Sequence, residues 1–248
     1  MITVKSKAEI EKMRLACRIT RDALLEIEKH IRPGLSTRHL DKIAHDYIIS
    51  QGAVPNFLHY NGFPGSICAS VNDQVVHGIP SGDVILAEGD IISVDMGACI
   101  QGFNGDAART FPVGKISPEA QRLIDVTKQS FFEGIRYAKH GAKLGDLSAA
   151  IQEYVEKNGY SVVRDLVGHG IGRHLHEDPS VPNFGRPGRG VRLASGMTLA
   201  VEPMVNAGDY DVCVLDDDWT VVTADGSLSA HYENTILIRP GECEILTL

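Results

Sequence analysis

The patterning of the 248 residues predicts an α+β protein, built as two related halves whose strands join in one curved, mostly antiparallel sheet with helices on one face. The evidence is an internal repeat, helix-period segments that come in pairs, and short apolar or alternating runs after each pair. At an offset of 107 residues, Gly34, Leu40, Tyr47, Ile48 and Gly52 reappear as Gly141, Leu147, Tyr154, Val155 and Gly159. At the same offset Ala87, Gly89, Val94 and Asp95 reappear as Ala194, Gly196, Val201 and Glu202. One offset that serves both a helical and a strand segment argues against coincidence. The chain is therefore expected to be a single catalytic domain with halves of about 1–114 and 115–248.

The first helix is expected over 6–31. It opens on the capping box Ser6-x-x-Glu9, carries apolar residues at 10, 13, 17, 24, 27 and 31, and ends at Arg32-Pro33-Gly34. The second runs over 37–51, with Leu40, Ile43, Ala44, Tyr47 and Ile48 on one face and Gly52 as its stop. The other half opens on Ser117-Pro118-Glu119, an N-cap with Pro at the first helical position, and predicts helices over 118–139 and 145–158. Strands are expected over 90–96, 103–113, 197–205, 211–215, 220–224 and 231–238.

Composition sets limits on function. A net charge of −8 and a pI near 5.7 argue against bulk nucleic-acid binding, and no direct nucleic-acid substrate is expected. There is no apolar stretch of about 20 residues, so no membrane span is expected; no membrane partner is expected either, and the N-terminus lacks a secretory signal pattern. Five dispersed cysteines without a C-x-x-C pair read as free thiols of a reducing compartment, and the cytoplasm follows.

The informative residues are acids in strand-like runs. Asp95 lies in Gly89-Asp-Ile-Ile-Ser-Val-Asp-Met-Gly97, and Asp106 follows a turn expected at Ile100-Gln101. A tight hairpin about that turn pairs positions summing to 201 and sets Asp95 directly opposite Asp106. Like charges so placed repel, and buried carboxylates are costly unless paired or metal-bound. Asp95 maps onto Glu202 through the repeat, and Glu233 leads into another apolar run. Histidines flanked by glycine occur in both halves, in Val75-Val-His-Gly-Ile-Pro80 and Val167-Gly-His-Gly-Ile-Gly172, with His174 and His176 just beyond. In an extended segment His174 and His176 point to the same side, so spacing does not choose between them. Four carboxylates with one imidazole form an oxygen-rich set suited to a pair of divalent ions such as Mn, Fe or Co, unlike a Cys- and His-rich structural zinc site.

Across essentially its whole length the sequence resembles the compact, bacterial type I methionine aminopeptidases of the pita-bread metallopeptidase fold. The motifs are Ser70-Val-Asn-Asp-Gln-Val-Val-His-Gly-Ile-Pro80, the Asp95/Asp106 pair, Gly168-His-Gly-Ile-Gly172 leading to His176-Glu-Asp-Pro179, Val201-Glu-Pro203, and Ser229-Ala-His-Tyr-Glu-Asn-Thr235. The resemblance implies removal of the initiator methionine from peptides and nascent chains, with small second residues preferred. It implies two divalent ions (Co, Mn, Fe or Zn) held by Asp95, Asp106, His169, Glu202 and Glu233. It makes Glu202 the group that takes a proton from water, His176 the oxyanion donor and His77 a contact to the scissile amide. It assigns the methionine pocket to Tyr60, Phe63, Cys68, Leu175 and Trp219, and points to a monovalent-cation site near Asn72 and Ser229. A monomer in transient contact with the ribosome fits the same picture. Phe57, Phe63, Leu175 and His231 depart from the commonest residues at their positions and leave the pocket's exact shape open. The rival readings are a proline-directed aminopeptidase of the same fold and a non-catalytic ribosome- or RNA-binding relative. The latter is disfavoured by the intact ligand set and the absence of a basic tail.

Overall fold

The computed structural model describes residues 2–248. The first half contains helices α1 (Lys7–Glu28) and α2 (Thr37–Ser50), followed by strands β1 (Val54–Pro55), β2 (Ile67–Val71), β3 (Gln74–Val76), β4 (Ile91–Ile100) and β5 (Phe103–Pro112). The second half repeats the helix pair as α3 (Pro118–Ile135) and α4 (Leu144–Lys157). Its strands are β6 (Ser161–Val162), β7 (Gly168–Gly170), β8 (Glu177–Val181), β9 (Thr198–Val201) and β10 (Met204–Asn206). They continue as β11 (Val212–Val214), β12 (Val221–Thr223), β13 (Ser229–His231), β14 (Asn234–Leu237) and β15 (Glu244–Ile245).

Every strand pair among the described residues is antiparallel. The hydrogen-bonded ladder is not continuous, however. It divides into a sheet centred on β4, a sheet β15-β14-β9-β7-β8, and two small three-stranded pieces, β13-β10-β6 and β11-β12-β3. The run expected over 197–205 breaks at Glu202-Pro203, where proline has no amide to donate. The run expected over 231–238 breaks at Tyr232-Glu233. Both interruptions carry a candidate metal ligand, so the sheet is broken where its backbone turns an acid inward.

The β4–β5 hairpin also corrects the expected register. Its turn residues are Gln101 and Gly102, at φ 53° and 74°, rather than Ile100-Gln101. A two-residue hairpin turn with both central residues left-handed favours glycine, and Gly102 draws the turn one residue later. Paired positions therefore sum to 203: Asp95 lies opposite Ala108, and Asp106 opposite Gly97. The two acids are diagonal neighbours on one face rather than directly opposed.

Helix α1 lies across this hairpin. Its capping box is formed, with the Glu9 amide donating to Ser6 Oγ and the Ser6 amide to Glu9 Oε2. Met13, Cys17, Leu24 and Ile27 form its buried stripe. The helix backbone comes so close to β5 that a Cβ on Gly105 would sit 2.7 Å from the Cys17 backbone. Thr20 Oγ1 accepts from the Ala98 amide at 3.1 Å and ties α1 to β4. Each half has its own apolar core, around Ile48, Val94 and Met96 in the first and Leu147, Ile151 and Leu199 in the second. A smaller cluster drawn from both, including Met13, Phe103, Ile171 and Leu237, lies between them. No helix among the described residues is long and apolar enough to cross a membrane.

Candidate metal centre and active site

The five candidate ligands converge where the two halves meet. Asp95 and Asp106 come from the β4–β5 hairpin, His169 from β7, and Glu202 and Glu233 from the two strand breaks. Ligand atoms of Asp106, His169 and Glu233 lie within 4.8 Å of one another. His169 Nε2 is 3.7 Å from Asp106 Oδ2 and 3.6 Å from Glu202 Oε1. The Asp95 and Glu233 carboxyls lie beside each other. His169 Nδ1–H donates to the Gly170 carbonyl at 2.9 Å, which leaves the Nε2 lone pair facing the acids.

The backbone around these ligands is fixed across the midline. The Asp106 amide donates to Thr235 Oγ1 at 3.1 Å, and that hydroxyl donates back to the Asp106 carbonyl at 2.8 Å. The Glu233 amide donates to the Ala108 carbonyl. Arg109 donates to the Glu233 carbonyl and, at 2.7 Å, to Asn234 Oδ1, with its guanidinium 4.3 Å from the centre of the Tyr232 ring. Arg109 and Thr235 hold the ligand loops, and periodicity alone gave no sign of that role.

The electrostatics are those of a cation site. Burial pushes the carboxyls of Asp95, Asp106, Glu202 and Glu233 upward, and mutual repulsion adds to this for the last three. Burial drives the His169 imidazole down to about 4, so it is a neutral ligand at pH 7. Asp95 Oδ1, Asp106 Oδ1 and Glu233 Oε1 are buried without a hydrogen-bond partner. Buried anionic oxygens without partners are rare, and this donor set of hard oxygens with one imidazole fits divalent cations.

Above the acids lies a cavity of about 280 Å³, which all of the predicted catalytic and pocket residues line. Tyr60, Phe63, Cys68, Leu175 and Trp219 form its apolar wall, joined by Phe57, Val76, Leu166 and Met204. Phe63 and Trp219 meet edge to face at 5.1 Å, and His77 lies 6.2 Å from Trp219. Cys68 pairs with Asp95 across β2 and β4, and burial beside that acid raises its thiol. Position separates the two histidines that spacing leaves equivalent: His176 lines the cavity 4.3 Å from the His169 ring, whereas His174 does not line it. Residues 172–176 are bent rather than extended, with the Gly172 amide donating to the His174 carbonyl, so the alternation that would point both side chains to one side does not hold. His176 Nδ1 is 2.8 Å from Tyr60 Oη. Outside the cavity, the Ser229 amide donates to the Asn72 carbonyl, so the residues of the expected monovalent-cation site are neighbours.

The model of metallopeptidase family M24 matches residues 11–240. The chain is 58% identical over 248 residues to a methionine aminopeptidase of Clostridium perfringens, covering 100% of this chain and 99% of that protein. It is 52% identical to methionine aminopeptidase 1 of Bacillus subtilis, covering 100% and 99%. Among solved structures, that of methionine aminopeptidase from Thermotoga maritima superposes with a TM-score of 0.98 at 47% identity, covering 100% of this chain and 99% of that one.

Proposed function

The chain belongs to metallopeptidase family M24 and, within it, to the type I methionine aminopeptidases, and on that premise we propose how its residues remove an N-terminal methionine. The observation that carries the reading is the convergence of four buried carboxylates and one neutral imidazole on the floor of an apolar cavity. Asp95, Asp106 and Glu233 would hold one divalent ion, and Asp106, Glu233, His169 and Glu202 a second, of Co, Mn, Fe or Zn. Such ions polarise the first peptide carbonyl and lower the pKa of a water toward neutrality.

The protein's own groups then divide the remaining work. Glu202 takes the proton of the attacking water on its carboxylate and passes it to the departing amine. Tyr60 Oη lies 2.8 Å from His176 Nδ1, and in the tautomer this mechanism uses the hydroxyl donates to Nδ1 and the imidazole proton sits on Nε2. That Nε2–H stabilises the oxyanion that forms on the carbonyl. His77, which also lines the cavity, contacts the scissile amide. The methionine side chain fills the space among Tyr60, Phe63, Cys68, Leu175 and Trp219, a burial worth about 1.5–3 kcal/mol. A second residue larger than a small side chain is excluded beside His77 and His176. The substrates are N-terminal methionine peptides and nascent chains, met in the cytoplasm by a monomer in transient contact with the ribosome. A monovalent cation at Asn72 and Ser229 would brace the β2–β3 turn.

The test is hydrolysis of Met-Ala-Ser against an Ala-Pro peptide by purified protein, with Mn2+ and after chelation. Release of methionine that chelator abolishes is expected. Equal cleavage of both peptides, or methionine release that survives chelation, would reject the reading.

A further inference from the structure

We infer that His231 is a positioning residue for Glu202, holding one carboxylate oxygen so that the other is presented to the metal site. The inference rests on the reading of Glu202 as a ligand and proton acceptor, and goes beyond it by naming what orients that group.

His231 ends β13 opposite Met204, beside the strand break that carries Glu202. Its backbone is held by one hydroxyl: the His231 amide donates to Thr110 Oγ1 at 2.8 Å, and Thr110 Oγ1 lies 2.9 Å from the His231 carbonyl. The imidazole is 1% exposed, and neither Nδ1 nor Nε2 has a hydrogen-bond partner. The group facing it is Glu202, whose Oε2 lies 3.7 Å from Nε2. The other oxygen of that carboxylate, Oε1, faces His169 Nε2 at 3.6 Å. The carboxylate thus lies between two imidazoles with one oxygen turned to each.

The two imidazoles are not equivalent. His169 donates through Nδ1 to Gly170 and keeps Nε2 for the cation. His231 has nothing else to bind. Asn183 Nδ2 pins the Glu202 carbonyl at 3.0 Å, which fixes the main chain but leaves the side-chain torsions free. A donor on Oε2 removes that freedom. The 3.7 Å separation exceeds a hydrogen bond by about 0.5–1 Å, a gap that a small torsion closes. An unpartnered buried imidazole favours that closure. Hydrogen-bond donors to ligating carboxylates commonly tune metal affinity by about 10–100-fold.

The experiment compares His231→Leu, His231→Gln and Glu202→Ala with the unsubstituted protein. Mn2+ affinity is read by titration calorimetry, and kcat and KM on Met-Ala-Ser by peptide assay. His231→Leu is expected to weaken Mn2+ binding by about 10-fold or more and to lower kcat with KM little changed. His231→Gln, which keeps a donor, is expected to recover most of both losses, which a purely space-filling role would not produce. If Glu202→Ala weakens Mn2+ binding and His231→Leu does not, or if Leu and Gln behave alike, the inference falls while the ligand assignment stands. If Glu202→Ala leaves Mn2+ binding intact, the ligand assignment itself falls and takes the inference with it. Should His231→Leu fail to fold, 15N spectra of the unsubstituted protein loaded with Zn2+ decide the matter. A proton on His231 Nε2 supports the contact, and one on Nδ1 alone overturns it.

Discussion

Thr235 and Asp106, 129 positions apart in sequence, are bound to each other twice, amide to hydroxyl and hydroxyl to carbonyl. The pair joins β14 of one half to β5 of the other at the level of the candidate metal ligands. Thr235→Val keeps the shape, loses both bonds and leaves two buried backbone groups without a partner. Thermal or urea unfolding is expected to show a loss of about 2–3 kcal/mol, with weakened Mn2+ binding. A variant as stable as the parent would mean the hydroxyl is dispensable.

Asp95→Ala and Glu202→Ala remove a carboxylate from a cluster whose charges oppose one another. The fold should persist, and the metal-free form should be no less stable than the parent. Turnover of Met-Ala-Ser is expected to fall at least about 10³-fold. Near-parental turnover in either purified variant would remove that residue from the mechanism.

Tyr60 Oη sits 2.8 Å from His176 Nδ1. Tyr60→Phe keeps the pocket wall and deletes the contact that sets the imidazole's proton. The expected signature is a drop in kcat of about 10-fold, with KM for a methionine peptide nearly unchanged, since the group acts on the transition state. A rise in KM alone would assign Tyr60 to the pocket only.

Without metal, the protein should lose stability as pH rises. Burial pushes Asp95 up to about 7, and Asp106, Glu202 and Glu233 are also raised. Unfolded, such acids titrate near about 4. Between those values the folded chain retains protons that the unfolded chain has released. For Asp95 this stabilisation is complete below about pH 4 and is lost as pH climbs through about 7; the other three acids act in the same direction. His169 and His231, held down by burial to about 4 and about 3, act in the opposite sense, but four raised acids outnumber two imidazoles, so in chelator Tm at pH 5 should exceed Tm at pH 8. With saturating Mn2+ the order should reverse, because ligands must be deprotonated to bind. A metal-free Tm that is flat or rises over this range would contradict the assignment.

Lys5 Nζ and Glu177 Oε2 form an ion pair of 2.6 Å with both side chains about 5% exposed. Glu177 also accepts from Thr3 Oγ1 and the His174 amide, so the N-terminal segment anchors the loop that presents His176. Lys5→Met strands a buried carboxylate and is expected to cost about 3–5 kcal/mol. Adding Glu177→Gln should restore part of that stability. Independent, additive losses in the double-mutant cycle would show that the pair is not coupled.

Much of this site was legible in the sequence because burial conflicts with charge. Asp95, Asp106, Glu202 and Glu233 stand out as acids in apolar runs, and the repeat by itself links Asp95 to Glu202. The four helices lie close to their predicted spans because capping and period agree, as at Ser6 and Ser117, although α1 and α3 end earlier, at Glu28 and Ile135. The hairpin register was missed by two positions because φ at Gln101 depends on the turn adopted, which apolar patterning does not encode. Strands β2, β3, β7 and β8 were not delineated, being short and bounded by residues such as Gly78 and Gly170 whose close packing exists only in the folded chain. Tyr60 against His176, and Arg109 across Glu233, are contacts between segments more than a hundred residues apart, so no local window contains them.

The interleaving of ligands from positions 95 to 233 also affects how the protein is made. No segment shorter than 139 residues contains the complete candidate set, which runs from Asp95 to Glu233. Contacts of such long range delay folding until late in synthesis. An ion that recognises only the finished arrangement would add its binding energy to that state alone, so metal supply would govern the fraction of copies that stay folded as well as their rate of catalysis.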